Sequence, residues 1–242
     1  MKKSQYNIVF LLVFFAMITS VLCYSSSSEE AFLTANNFYE QKKYEDSLKL
    51  YSSIDKKGSA VWYNMGNCAF RMDNYIDAIV YWRRAELGAS LKDFEDIENN
   101  ILVAYEKLEL THERSFLDVI YKYISRVPIF LLQIVFLVFW FTFFIMYFFL
   151  KQFRRFALTI FMVLNVLIGF LLLIKYGSLN YKKVIVVKSS ASLFTGPDEN
   201  YHVICKVPII SEMLVKEKKG KWYKVNSNGQ IGWVFSEYIE VI

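Results

Sequence analysis

VPIFLLQIVFLVFWFTFFIMYFFL at 127–150, KQFRR at 151–155 and FALTIFMVLNVLIGFLLLI at 156–174 decide how the rest of the chain is read. Neither apolar run carries a charged side chain. As a helix rising about 1.5 Å per residue, the first would be roughly 36 Å long and would cross a hydrocarbon core of about 30 Å with some tilt. The second is just long enough. A core helix of a soluble domain would be shorter and would show a polar stripe, and these runs show none. We therefore expect transmembrane helices at 127–150 and 156–174, turning back through 151–155. That loop holds Lys151, Arg154 and Arg155, and short cationic loops stay in the cytoplasm. Lys122, Arg126, Lys175, Lys182 and Lys183 also lie near the ends of the spans, so the N-terminus decides orientation.

The N-terminus reads as an export signal over residues 1–23. Lys2 and Lys3 precede the apolar run Ile8–Met17, and Ser25–Ser28 follow. Val21 and Leu22 lengthen that run, so an uncleaved anchor is the alternative; a lipidated Cys23 is a third option, with Leu22 where a small residue is wanted. A signal or an anchor exports the segment that follows. Both flanks of the hairpin are then expected on the side of the membrane opposite the cytoplasm.

The net charge of +5 comes from scattered Lys and Arg, with no basic block to track a phosphate backbone, so no nucleic-acid partner is expected. The cysteines Cys23, Cys68 and Cys205 lie far apart without a C-x-x-C spacing, which supports neither a metal site nor a disulfide framework, although Cys68 and Cys205 remain able to meet. Cys68 reads as a small packing residue. His112 and His202, the only histidines, lack the neighbours of a nucleophile–base pair. No enzyme, cofactor or metal is expected. The carboxylates at 93–98 read as a solvated helix face.

Residues 30–110 read as helix pairs, Ala31–Ile54 and Ala60–Leu87, followed by an amphipathic helix over Asp93–Leu108. A shift of 31 residues lays Ala35 on Gly66, Phe38 on Ala69, Tyr44 on Tyr75, Ser47 on Ala78 and Tyr51 on Trp82. A fixed offset that puts small on small and aromatic on aromatic marks a repeat array. Trp62-Tyr63-Asn64-Met65-Gly66-Asn67, followed by Tyr75, Ala78, Trp82 and Ala85, resembles the tetratricopeptide pattern. The resemblance implies close helix contact at Gly66 and Ala78, and a concave face lined by Phe32, Asn36, Tyr39, Tyr63, Asn67, Phe70 and Arg71. Asn36 and Asn67 stand at equivalent positions, where amides suit an extended peptide backbone. Residues 111–126 form an amphipathic connector that either lies on the membrane surface or extends the first span. Inside the spans, Gln133 and Asn165 are the conspicuous polar residues, at depths that do not match for direct pairing.

The composition changes to short β-rich runs over 183–242: Val184–Val187, His202–Val207, Glu212–Lys216, Trp222–Val225, Ile231–Phe235 and Tyr238–Val241. Such spacing predicts a small barrel or sandwich. Gly220-Lys221-Trp222-Tyr223-Lys224-Val225 and Gly229-Gln230-Ile231-Gly232-Trp233-Val234 resemble the paired Trp strands of bacterial SH3-like domains. Ala191–Pro197 stands at that family's Arg-Ser-Gly-Pro turn but lacks the Arg, and Ile210-Ser211 replaces the Gly before the third strand. Trp222 and Trp233 either bind a ligand or fill the core.

Taken together, the chain is expected to be a multi-domain membrane protein: an all-α tetratricopeptide stack, a two-helix transmembrane hairpin and an all-β SH3-like barrel. That order resembles the BatE-type proteins of bacterial aerotolerance operons. The resemblance implies a non-catalytic inner-membrane protein with both folded domains in the periplasm, working with Bat-type von Willebrand A-domain membrane proteins. The alternative is a module that senses the cell wall through peptidoglycan.

Overall fold

A computed structural model describes residues 28–111, 127–149, 154–179, 182–189, 191–227 and 229–242. The expected export signal with Cys23, connector residues 112–126 and loop residues 151–153 lie outside the described residues. The chain divides into two compact units between Thr111 and His112.

The first unit is helical: α1 (residues 28–40), α2 (Tyr44–Ser52), α3 (Ser59–Arg71), α4 (Tyr75–Glu86) and α5 (Leu91–Lys107). The sequence offset of 31 holds in the backbone: it carries Glu40, the last residue of α1, onto Arg71 of α3, and Tyr44 onto Tyr75. It also carries Lys42 (φ 62°) onto Asp73 (φ 58°). Each of these left-handed residues closes the first helix of its pair. The next amide then returns to the helix, Lys43 N–H to Phe38 O and Asn74 N–H to Ala69 O, both 2.9 Å. Helix α5 ends the same way, with Glu109 at φ 56° and Leu110 N–H donating to Tyr105 O at 3.0 Å.

Packing follows the same period. Ala35, Cys68, Ala78 and Ala85 are wholly buried, and Trp82 is 2% exposed. Gly66 permits the closest approach, because a Cβ there would stand 2.4 Å from the Trp82 ring. Cys68 is the packing residue expected: its thiol donates to Ser47 Oγ at 3.4 Å, and burial pushes its pKa up. Cys68 and Cys205 are both free thiols, so the pairing left open by the sequence is not made.

In the second unit, α6 (Ile129–Phe149) and α7 (Arg154–Leu179) pack antiparallel. Phe139 meets Phe161 at 5.6 Å, and the Phe136 ring lies 3.6 Å from where a Cβ on Gly169 would stand. Ile129–Phe148 and Leu158–Tyr176 are long and apolar enough to cross a bilayer. Arg154 and Arg155 belong to α7 rather than to the loop, since nothing in their side chains opposes helix. Asn165 is 4% exposed and donates to Phe161 O at 2.9 Å, with its Oδ1 buried and unpaired among the described residues, whereas Gln133 faces outward; the two amides do not pair.

Seven strands follow: β1 (Lys183–Val186), β2 (Ala191–Phe194), β3 (Val203–Val207), β4 (Glu212–Lys219), β5 (Trp222–Ser227), β6 (Gln230–Phe235) and β7 (Ile239–Val241). They form one antiparallel sheet in the order β3-β2-β6-β5-β4-β1-β7. The expected turn over Ala191–Pro197 is a strand for its first four residues, because Ala191 and Leu193 alternate into the core beside Val184, Val186, Val225 and Val234. Ile210, where the resemblance wants glycine, keeps a left-handed backbone at φ 66°. For a β-branched residue that costs about 1–2 kcal/mol. Its side chain is 3% exposed, and burial worth about 1.5–3 kcal/mol holds it there.

Gly66→Ala should destabilise the helical unit by about 1–3 kcal/mol, because the Trp82 ring is held on both sides. Gly58→Ala, where an added Cβ meets nothing within 4 Å, should cost only the N-cap preference of α3, about 0.5 kcal/mol. Thermal melts followed by circular dichroism separate the two.

Candidate functional site

In each helix pair, the second helix donates to an asparagine of the first. Tyr51 Oη–H donates to Asn36 Oδ1, and Trp82 Nε1–H to Asn67 Oδ1 at 3.2 Å. Tyr51 and Trp82 stand 31 residues apart, as do Asn36 and Asn67. Burial raises the Tyr51 pKa, so its hydroxyl stays a donor. The amides expected to grip a partner thus spend their oxygens inside the fold and keep their NH2 groups without partners among the described residues.

The other expected groove residues divide by surroundings. Phe32 packs on Tyr51 at 5.8 Å, while Phe70 sits between Tyr75 (5.3 Å) and Trp82 (5.6 Å). Both are half-buried packing groups. Tyr39 lies edge-on to Tyr44 at 5.3 Å, and its hydroxyl accepts from Arg71 Nε–H at 3.4 Å, which brings α1 and α3 together at their ends. Tyr63 Oη accepts from Asn100 Nδ2–H of α5 at 3.0 Å. A cleft of about 360 Å³ opens beside it, bordered by Asn64, Asp93, Asp96 and Ile97. Sequence reading missed Asn100 and this cleft, since only the fold brings α5 beside α3.

The position of α5 depends on a second buried cluster. Arg83 Nη1 of α4 reaches Glu86 at 2.9 Å and Glu98 of α5 at 2.7 Å. Glu98 is 7% exposed, which corrects the expectation of a solvated face over residues 93–98; Asp93, Glu95 and Asp96 do face solvent. Burial raises the Glu86 pKa, the Arg83 guanidinium pulls it back, and the hydrogen bond to Glu98 raises it again, leaving it at about 7. Two carboxyl groups in hydrogen-bond contact share one proton.

On the sheet, Trp222, Lys224, Trp233 and Phe235 point away from the core side chains. Trp222 lies edge-on to Phe194 at 5.5 Å and Phe235 at 5.2 Å and is half-buried. Trp233 is 8% exposed, with Lys224 Nζ 5.9 Å above its ring. A recess of about 530 Å³ opens between the β2–β3 loop and the end of β4, lined by Pro197, Asp198, Asn200, Tyr201 and Lys219. The Tyr201 ring lies over Gly196, where a Cβ would be 2.6 Å away, and Asp198 Oδ1 accepts from Asn200 N–H at 2.9 Å to hold the loop. Tyr201 is 52% exposed and Lys219 lies in the open. These two offer an aromatic face beside a cation.

Residues 189–240 match the model of the family described as Bacterial SH3 domain. No curated protein matches the chain.

Glu86 fixes the sign of a pH effect. Its folded pKa, about 7, stands above the ordinary 4.5, so its contribution is full below pH 4.5 and is lost as pH rises through 7. The helical unit should be more stable at pH 5 than at pH 8, by up to about 3 kcal/mol. Glu86→Gln should flatten that dependence and raise stability at pH 8, read by hydrogen exchange of α4 and α5 amides.

Proposed function

We propose that this chain is a non-catalytic scaffold of the bacterial inner membrane that holds two binding modules on the periplasmic side. The helical unit is read as a tetratricopeptide stack, and the C-terminal unit as an SH3-like barrel. The reading is carried by the face the helix pairs leave open: amide NH2 groups of Asn36 and Asn67, the Tyr63 hydroxyl and the exposed Arg71 stand on successive first helices. Such donors at a repeating interval suit an extended peptide chain. Tethering by the hairpin raises the local concentration of both modules for a partner complex. The partners are proposed to be Bat-type von Willebrand A-domain membrane proteins, in a complex of the aerotolerance kind; no enzyme activity, cofactor or nucleic acid enters.

In cells, crosslinking pull-downs with the full chain should recover protein partners, and Tyr63→Ala with Arg71→Ala should lose them. Asn67→Ala is a poorer probe, because it also removes one of the two acceptors of the Trp82 indole N–H, the other being Tyr63 O. Unchanged recovery with a folded double variant would sink the groove. Reporter fusions at 110, 153 and 242 should read outside, inside and outside; a cytosolic C-terminus would overturn the sidedness.

A second reading has its own support. Bacterial SH3 domains are commonly involved in peptidoglycan or protein binding, and the recess beside Tyr201 and Lys219 offers ring-stacking with a cation for a carboxylate. On this reading the chain senses wall state. Full chain in detergent micelles should then be retained on peptidoglycan, and Tyr201→Ala should weaken retention several-fold; passage through the column unretained removes this reading.

A further inference from the structure

We propose that the cleft between α3 and α5 seats one cationic side chain, lysine or arginine, borne on an extended segment of the partner. This rests on the reading of the helical unit as a peptide-binding module and names the partner's chemistry. Residues 28–111 carry 15 Asp and Glu against 10 Lys and Arg. The cleft concentrates that excess. Its floor is Ile97, 1% exposed, with Tyr63 and Asn64 on one wall and the carboxylates of Asp93 and Asp96 on the other.

Each of these groups has capacity left. Asp93 accepts from Ser90 Oγ at 2.7 Å as part of the α5 cap, which occupies one of its several acceptor sites. Asp96 makes no hydrogen bond or ion pair with the described residues. Asn64 commits its NH2 group to Asn36 Oδ1 (3.1 Å) and Tyr51 Oη (3.0 Å), so its oxygen is the group left to accept. Tyr63 Oη accepts from Asn100 and keeps its proton to donate, for instance to a backbone carbonyl of the partner. Lys57 is held elsewhere, donating to Ile54 O at 2.6 Å and lying over Trp62.

Two helices begin at this cleft, and their N-termini oppose a cation. Each contributes about half a positive charge, against a full negative charge on each of two carboxylates, so about one net negative charge remains. An apolar guest would strip water from those carboxylates without replacing it. A lysine or arginine lays its stem on Ile97 and the Tyr63 ring and brings its head to Asp93 and Asp96.

The test uses full chain in lipid nanodiscs and fluorescent, end-blocked pentapeptides of alanine with a central lysine, norleucine or glutamate. At low salt, the lysine peptide should bind at least about tenfold tighter than the norleucine peptide, with the glutamate peptide weakest. Asp96→Asn should bring lysine down to the norleucine level, and added salt should weaken lysine alone. Equal binding of lysine and norleucine, an unaltered lysine affinity in Asp96→Asn, or no binding by any of the three would each overturn the inference. Partner recovery by the unsubstituted chain together with no preference for lysine would overturn this inference and leave the module reading standing, whereas no partner recovery removes that reading.

Discussion

The helical unit depends on one repeated bond: an asparagine carbonyl in the first helix of each pair accepts the only polar hydrogen of an aromatic side chain in the second. Without it, the Tyr51 hydroxyl would keep only the bond it accepts from Asn64, and the Trp82 indole N–H would be left with the Tyr63 carbonyl alone, a loss of about 0.5–1.5 kcal/mol in each case. Gly66 brings the helices close enough for the second of these bonds, since any larger residue would displace the indole. The same bond divides labour within the amide. Its oxygen is consumed by the fold and its NH2 is left without a partner among the described residues. The packing role of the oxygen explains why amide and aromatic recur together at the interval of 31.

Between α4 and α5, the joint is ionic rather than apolar. A single guanidinium serving two carboxylates is nearly dry, and one proton makes up the shortfall of positive charge. Buried pairs of this kind add little net stability over an apolar contact but are costly to break once formed. Their effect is to fix register: Glu98 meets Arg83 in only one setting of α5, and that setting places Asp93, Asp96 and Asn100 beside Tyr63. The geometry of the cleft is therefore decided on the far side of α5 from the cleft itself.

Much of this was legible in the sequence, and the failures share a cause. The two apolar runs, the offset of 31 and the paired Trp strands rest on run length and spacing within the sequence, which folding leaves unchanged. Glu98 read as solvated because its neighbours Glu95 and Asp96 are; only the approach of α4 makes it different. Strand β2 was hidden by its brevity and by the Gly196-Pro197 that follows, which drew the reading toward a turn. Ile210 is a different case. The sequence lacks the glycine, yet the backbone keeps the glycine conformation, because the buried side chain offsets the strain. The candidate site was the least legible part. Its residue types were visible, but which atoms remained unspent depended on partners distant in sequence.

The two apolar helices carry the last step of the argument. Phe141, Phe148 and Leu173 are each more than 60% exposed, with many aliphatic and aromatic neighbours exposed beside them. In water that surface would far exceed the few hundred Å² of apolar patch that a soluble monomer tolerates. Hydrocarbon removes the penalty and imposes another, because any unpaired polar group there is expensive. Asn165 is where that second condition is felt: it is 4% exposed and returns its NH2 to the Phe161 carbonyl, while its Oδ1 stays buried without a partner among the described residues. Burial of the one mid-helix amide, with phenylalanine and leucine left outside, inverts the usual arrangement of a soluble hairpin. Solvation by lipid is the condition under which that inversion is stable.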